Sequence, residues 1–151
     1  MLTKQVSSGI IEAITELKNR FKDLTPVIGT IAALIESAIL ENVEAGGRWD
    51  GSGSGLLSGG TQKWAPLAES TKKKYKKLGY ELTPTLNRGG YLIPTLAVAS
   101  EGTNRIVVST DAIYGKFHQF GTKHMPARPF ITLTNEDLKL ILRTLTQMLR
   151  R

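Results

Sequence analysis

Residues 91–109 read YLIPTLAVASEGTNRIVVS, and they decide the fold class. Leu92, Leu96 and Val98 alternate with Ile93, Thr95 and Ala97, and RIVVS from Arg105 to Ser109 repeats the period of two. That period suits strands with one covered face. The intervening SEGTN supplies turn residues, so the sequence predicts an antiparallel hairpin with its first strand over Tyr91 to Ala99. Pro94 has no N–H to give a ladder, which makes that strand an edge or bulges it there. Everything outside the hairpin is patterned as helix or loop. The expected fold is therefore α+β: two N-terminal helices, a short basic helix, a small antiparallel sheet with a hairpin, and a C-terminal amphipathic helix packed on the sheet.

C-terminal to the hairpin, Asp111 reads as an N-cap and AIYGKFHQF as a short helix stopped by Gly121. Thr134 caps a last helix, Glu136 and Asp137 lie near its positive end, and Leu133 is placed to staple onto Leu138. Leu138, Ile141, Leu142, Leu145, Met148 and Leu149 then form one apolar face.

Toward the N-terminus, Trp64-Ala65-Pro66-Leu67 leads into a basic helix that ends near Gly79. Before it, GGRWDGSGSGLLSGGTQ from Gly46 to Gln62 holds seven glycines and three serines and predicts a mobile loop. It lacks the Gly-Lys-Ser/Thr ending and the preceding strand of a phosphate cradle. Val6, Ile10, Ile11, Ile14, Leu17 and Phe21 place a first helix over about residues 4–22. A second, with Thr25 as N-cap and Pro26 at its first position, runs to about Ala45. Its apolar band, from Val27 to Val43, is too wide for one neighbour, so part of it is expected to contact another subunit. The organisation expected is a helical hairpin over 1–45, a Gly/Ser-rich loop over 46–63 and an α+β body over 64–151, one domain overall.

The 151 residues contain no cysteine, which excludes disulfides, thiolate nucleophiles and cysteine metal sites. The N-terminus alternates apolar and charged residues, so neither a signal peptide nor a membrane span is expected. The net charge of +7 is uneven: five Lys/Arg against seven Asp/Glu up to Gln62, fifteen against six from Lys63 onward. Clustered cations attract polyanions, and KKKYKK makes Lys72, Lys73, Lys74, Lys76 and Lys77 candidate DNA or phosphate contacts. A solvated helix face is the plainer account of the same run.

His118 and His124 are the sharpest enzymatic candidates. They lie six apart across Gly121, whereas two ligands on one helical face need a spacing of four, and no acid lies between them. No Gly-x-Ser-x-Gly elbow or Ser-x-x-Lys pair appears. Beyond Gln62 the adjacent acids Glu136 and Asp137 are accounted for by helix capping. A His-dependent hydrolase is thus the weakest of three readings, behind a nucleic-acid-binding module and an assembly protein. No metal or cofactor is expected. His118 reads as a part-buried histidine donating one ring hydrogen to a carbonyl.

Trp64-x-Pro66-Leu67, Ser70-Thr71 with following lysines, Leu86-x-x-x-Gly90-x-Leu92, the hairpin, Tyr114-x-x-x-His118-Gln119-Phe120-Gly121-Thr122 and Pro126-Ala127-Arg128-Pro129-Phe130 follow in order. From about Arg48 onward this arrangement resembles the phage virion morphogenesis family, the tail-completion proteins of tailed bacteriophages and Mu-like prophages. The pairing of HQFGT with PARPF is its most specific part. The family tends to show Thr-Gly-x-Leu ahead of a serine, where this chain has Gly89-Gly90-Tyr91-Leu92 and then Pro94-Thr95. The resemblance implies a non-enzymatic protein that joins the tail tube protein to the head-side connector as a ring of identical subunits, expected to be a hexamer. It would assemble in the host cytoplasm and end in the virion, with genome DNA a further candidate partner. Trp64, Tyr114, His118, Phe120, Arg128 and Phe130 are the residues expected at subunit contacts. The two prolines stiffen the segment, Arg128 offers a planar fork, and Phe130 is either an anchor or ordinary core.

Overall fold

The computed structural model describes residues 9, 11–16, 19, 24–82, 86 and 92–150. Its elements are α1 (Thr25–Glu44), α2 (Glu69–Leu78), β1 (Ala97–Glu101), β2 (Arg105–Ser109), α3 (Gly115–Phe120) and α4 (Asn135–Leu149). Residues 11–16 are helical too, inside the first helix predicted over 4–22, most of which lies outside the described residues. So does most of the Leu86 to Leu92 motif. The fold is α+β, with β1 and β2 paired antiparallel.

α1 organises the molecule. It packs against both α4 and the hairpin, while α4 packs on α1 and not on the sheet as expected. Val27, Ile28, Ala32, Ile35, Ala38, Ile39 and Val43 are buried, so the width of the apolar band reflects two neighbours within one chain, where a subunit contact was expected. α1 is long and apolar enough in composition to cross a bilayer, and its buried face accounts for that apolarity. Ile39 and Val43 meet Trp64, Leu92, Phe130, Leu133, Leu138 and Ile141 in one core cluster. Thr25 is the first helical residue, not the cap; Leu24 precedes it, and the Leu24 N–H donates to the Thr103 carbonyl in the hairpin turn at 2.9 Å.

The hairpin is shorter at its start than the alternation predicts. Residues 92–95 form a turn with Pro94 inside it, because Leu96 N–H donates back to the Ile93 carbonyl at 3.1 Å and the Thr95 hydroxyl to that of Leu92 at 3.2 Å. β1 instead runs on to Glu101, opposite Arg105, which leaves a three-residue loop opened by Gly102 at φ +69°. Val98, Val108 and Ile106 share the face that packs on the core. α3 begins at Gly115, later than predicted, with Tyr114 at its N-cap position and no side-chain cap from Asp111; in the turn ahead of it the Thr110 hydroxyl accepts from Ala112 N–H at 3.1 Å. Gly121 ends α3 as expected, at φ +71°, and α2 ends at a left-handed Gly79. α4 carries a reciprocal capping box between Thr134 and Asp137.

The glycine-rich stretch is not the open loop its composition predicts. Trp49 bridges both Gly59 and Gln62, the Leu56 carbonyl accepts from Leu133 N–H at 2.8 Å, and Ser58 and Gly59 are buried. A Cβ on Gly59 would collide with the Leu133 carbonyl. Glycine is there to let one backbone lie against another, not to keep the chain loose.

Candidate assembly surface

The motif pieces that stand out in the sequence are one another's partners. Arg128, 5% exposed, donates from Nε to the Ala65 carbonyl and from Nη2 to that of Pro66, both at 2.9 Å. Trp64 Nε1 donates to the Pro129 carbonyl at 3.1 Å. The planar fork of Arg128 is thus spent on a row of carbonyls inside the subunit, a geometry that a lysine could not reproduce. Between these pieces the chain doubles back: α3 stops at Gly121, Thr122 pairs with Met125, and Arg128 N–H returns to the His118 carbonyl at 2.6 Å. A Cβ at Gly121 would meet Ala127 N at 2.7 Å.

Two buried amides lock the returning strand. Gln119 Oε1 accepts from Phe130 and Ile131 N–H at 3.1 and 3.0 Å, and its Nε2 donates to the carbonyls of Ile131 and Ser54. Asn42, fully buried in α1, donates to the Phe130 and Thr132 carbonyls at 2.8 and 2.7 Å and accepts from Arg48 Nε at 2.8 Å. Arg48 also bonds the Ala38 carbonyl and pairs with Asp137 at 2.9 Å and Glu41 at 3.1 Å. Asp137, read from sequence as a helix cap only, therefore has a second role. Sequence assigned no role to Asn42 or Arg48, and Gln119 entered only as a letter of the HQFGT motif. The available signal was a polar Asn42 inside the run Ala38, Ile39, Val43, where period alone demands an apolar side chain.

Of the residues expected at subunit contacts, Phe130 (1% exposed), Trp64 and Arg128 are buried within the chain, so they build the subunit's interior rather than present a face. Tyr114 and His118 are half-buried and stack edge to face at 5.7 Å between ring centres. His118 Nδ1 is buried with no hydrogen-bond partner among the described residues, contrary to the carbonyl bond expected. Burial first, and the Arg128 charge second, hold its pKa below the usual imidazole value. His124 sits exposed in the Thr122–Met125 turn, in a different setting. Among the described residues no three His, Asp or Glu side chains come together as a metal site.

Phe120 alone of the six remains an exposed aromatic, at 67%, and Phe117, one turn earlier on α3, is 44% exposed. Lys116 lies 5.2 Å from the Phe117 ring centre, and Lys123 follows in the turn, exposed. The structure thus carries an aromatic edge on a short helix whose inner side is clamped by Gln119. Of the lysine strip, Lys72 is paired with Glu69 at 2.7 Å, and Lys73, Lys74, Lys76 and Lys77 are exposed along α2.

The sequence model of the phage virion morphogenesis family matches residues 6–150. The chain belongs to that family. This gives it a part in the assembly of a phage particle. It is similar to "Mu-like prophage FluMu G protein 1" of Haemophilus influenzae, with 34% identity over 80 residues, 53% of this chain and 55% of the relative. It is also similar to "Mu-like prophage FluMu G protein 2" of the same organism, at 29% identity over 136 residues, 85% of this chain and 80% of that relative. The chain thus spans about half of the first relative and four-fifths of the second. No solved structure gives a significant match.

Proposed function

We propose that this chain is a non-enzymatic tail-completion component, joining the tail tube protein to the head-side connector as a ring of identical subunits, six by expectation. On this reading it assembles in the host cytoplasm and remains in the virion neck. The observation that carries the reading is the family match over nearly the whole chain, and the exposed Phe117 and Phe120 edge supplies a surface for it. Aromatics on a clamped backbone meet a partner with little ordering cost.

The test is Phe120→Asp in the purified protein. Because Phe120 is 67% exposed, its circular dichroism and melting temperature should match the parent. A desolvated aromatic anchor typically contributes about 2 kcal/mol or more, roughly thirtyfold per contact, so the variant should sediment as monomer and fail to complete tails. A variant that assembles and completes tails as the parent does would overturn the proposal.

A second reading has its own observation: four exposed lysines lie on one ten-residue helix. Such a strip, turned to a ring's lumen, would face the passing genome.

A further inference from the structure

We infer that the contact between copies joins unlike surfaces, with the Phe117 and Phe120 edge of α3 on one copy seated in an apolar groove of the next. This rests on the self-assembly reading above and names its two faces. The groove has a volume of about 730 Å³ and is walled by Ile14 of the N-terminal helical residues, Ile35 of α1, Leu56 and Leu57 of the glycine-rich segment, and Leu138 and Ile141 of α4. Leu56 and Leu57 are exposed there, at 43% and 41%. No α3 residue lines the groove, so the chain does not fill it with its own aromatic edge.

Three observations select a second copy as the occupant. The groove is of a size that could hold a small molecule, but such sites need polar groups to orient the ligand. Its one carboxylate, Asp50, is already engaged by the Ser52 amide and hydroxyl at 2.8 and 2.7 Å. Apolar side chains are the matching guest. The charges are also complementary: Glu12 and Glu16 stand exposed beside Ile11 and Thr15, which line the groove. The aromatic edge carries Lys116 and Lys123 instead. Finally, edge and groove are different surfaces of the same chain. A contact between unlike surfaces repeats from copy to copy and closes into a ring when the rotation permits.

The natural absence of cysteine makes the test clean. Thr122→Cys, exposed beside the aromatic edge and leaving both phenylalanines in place, and Leu57→Cys at the groove are prepared as separate proteins and treated with a short bismaleimide alone and as an equal mixture. The mixture should give a covalent dimer at least tenfold above either protein alone, and the double variant should give a ladder of bands. The charges are tested by Lys116→Glu with Lys123→Glu, which should abolish assembly, and by adding Glu12→Lys with Glu16→Lys, which should restore it. Cross-linking of Thr122→Cys to itself, or an assembled parent whose mixture stays uncoupled and whose charge reversal is silent, overturns the contact while leaving self-assembly standing. A small apolar molecule retained in the native mass spectrum of the purified protein overturns the choice of occupant. A parent that stays monomeric at all concentrations overturns this inference and the self-assembly reading together.

Discussion

Arg128 shows how a residue type suited to interfaces can serve the interior. It is 5% exposed, and its two side-chain bonds go to the carbonyls that precede α2. Charge-assisted bonds of this kind contribute about 1.5–3 kcal/mol each, and truncation leaves buried carbonyls unpaired. Arg128→Ala should therefore destabilise the chain by about 3 kcal/mol, and Arg128→Lys should recover only part of that loss. Urea titration followed by circular dichroism measures it; an alanine variant as stable as the parent would return Arg128 to the surface. His118 gives a pH signature. Its folded pKa is lowered by burial and by Arg128, so as pH falls below the unfolded value of about 6.5 the unfolded chain takes up a proton that the folded chain refuses. Stability present above that pH is thus lost as pH falls through the folded value. Melting temperatures from pH 7.5 down to 5 should fall less steeply for His118→Gln than for the parent. Neither role could be read from residue type, because Arg128 and His118 are chemically competent at an interface and in a core alike. Burial decides, and burial follows from how the Trp64 and Pro129 segments meet, which no local pattern encodes.

At the scale of elements, legibility followed locality. α4 and its cap were readable because Thr134, Asp137 and the Leu138 stripe lie within a few turns of one another. Gly121 and Gly79 were readable as helix stops for the same reason. The first strand was misplaced because alternation continues through Pro94, where hydrogen bonding turns the chain back instead. The glycine-rich segment was misread because composition reports what a segment can bury by itself, whereas its internal bridges from Trp49 are joined by bonds from Leu133 and Gln119, more than sixty residues away. α2 remains the element with an open question of use, and salt answers it. If Lys73, Lys74, Lys76 and Lys77 face DNA, duplex binding should be independent of sequence and fall steeply with salt. Removing two of them should flatten the logarithmic slope by about two, at roughly 0.9 per phosphate neutralised. Lys72→Ala should change it less, since Glu69 already holds Lys72 at 2.7 Å. An unchanged slope in the double variant would leave the strip a solvated face.

For the whole molecule, the consequence of one long helix packed on two sides is that the chain should not divide where its composition changes. Residues 64–151 hold the hairpin, α3 and α4, and look self-sufficient by element content. Yet α4 and the hairpin each pack on α1, and both depend on it. The polar links cross the same boundary: Asn42 holds the Phe130 and Thr132 carbonyls, Arg48 holds Asp137, and the Leu56 and Ser54 carbonyls accept from Leu133 and Gln119. A fragment of residues 64–151 would expose those groups and lose Ile35, Ile39 and Val43 from the core cluster. Burying an aliphatic side chain of this kind contributes about 1.5–3 kcal/mol, so three of them alone equal much of the 5–15 kcal/mol by which domains are usually stable. The fragment is therefore expected to lack near-ultraviolet circular dichroism and to melt without cooperativity. Adding residues 1–63 as a separate chain should restore both signals, because the missing face would return with its Asn42 and Arg48. A fragment that melts in a sharp transition by itself would show that α1 is an accessory to the fold and not its centre.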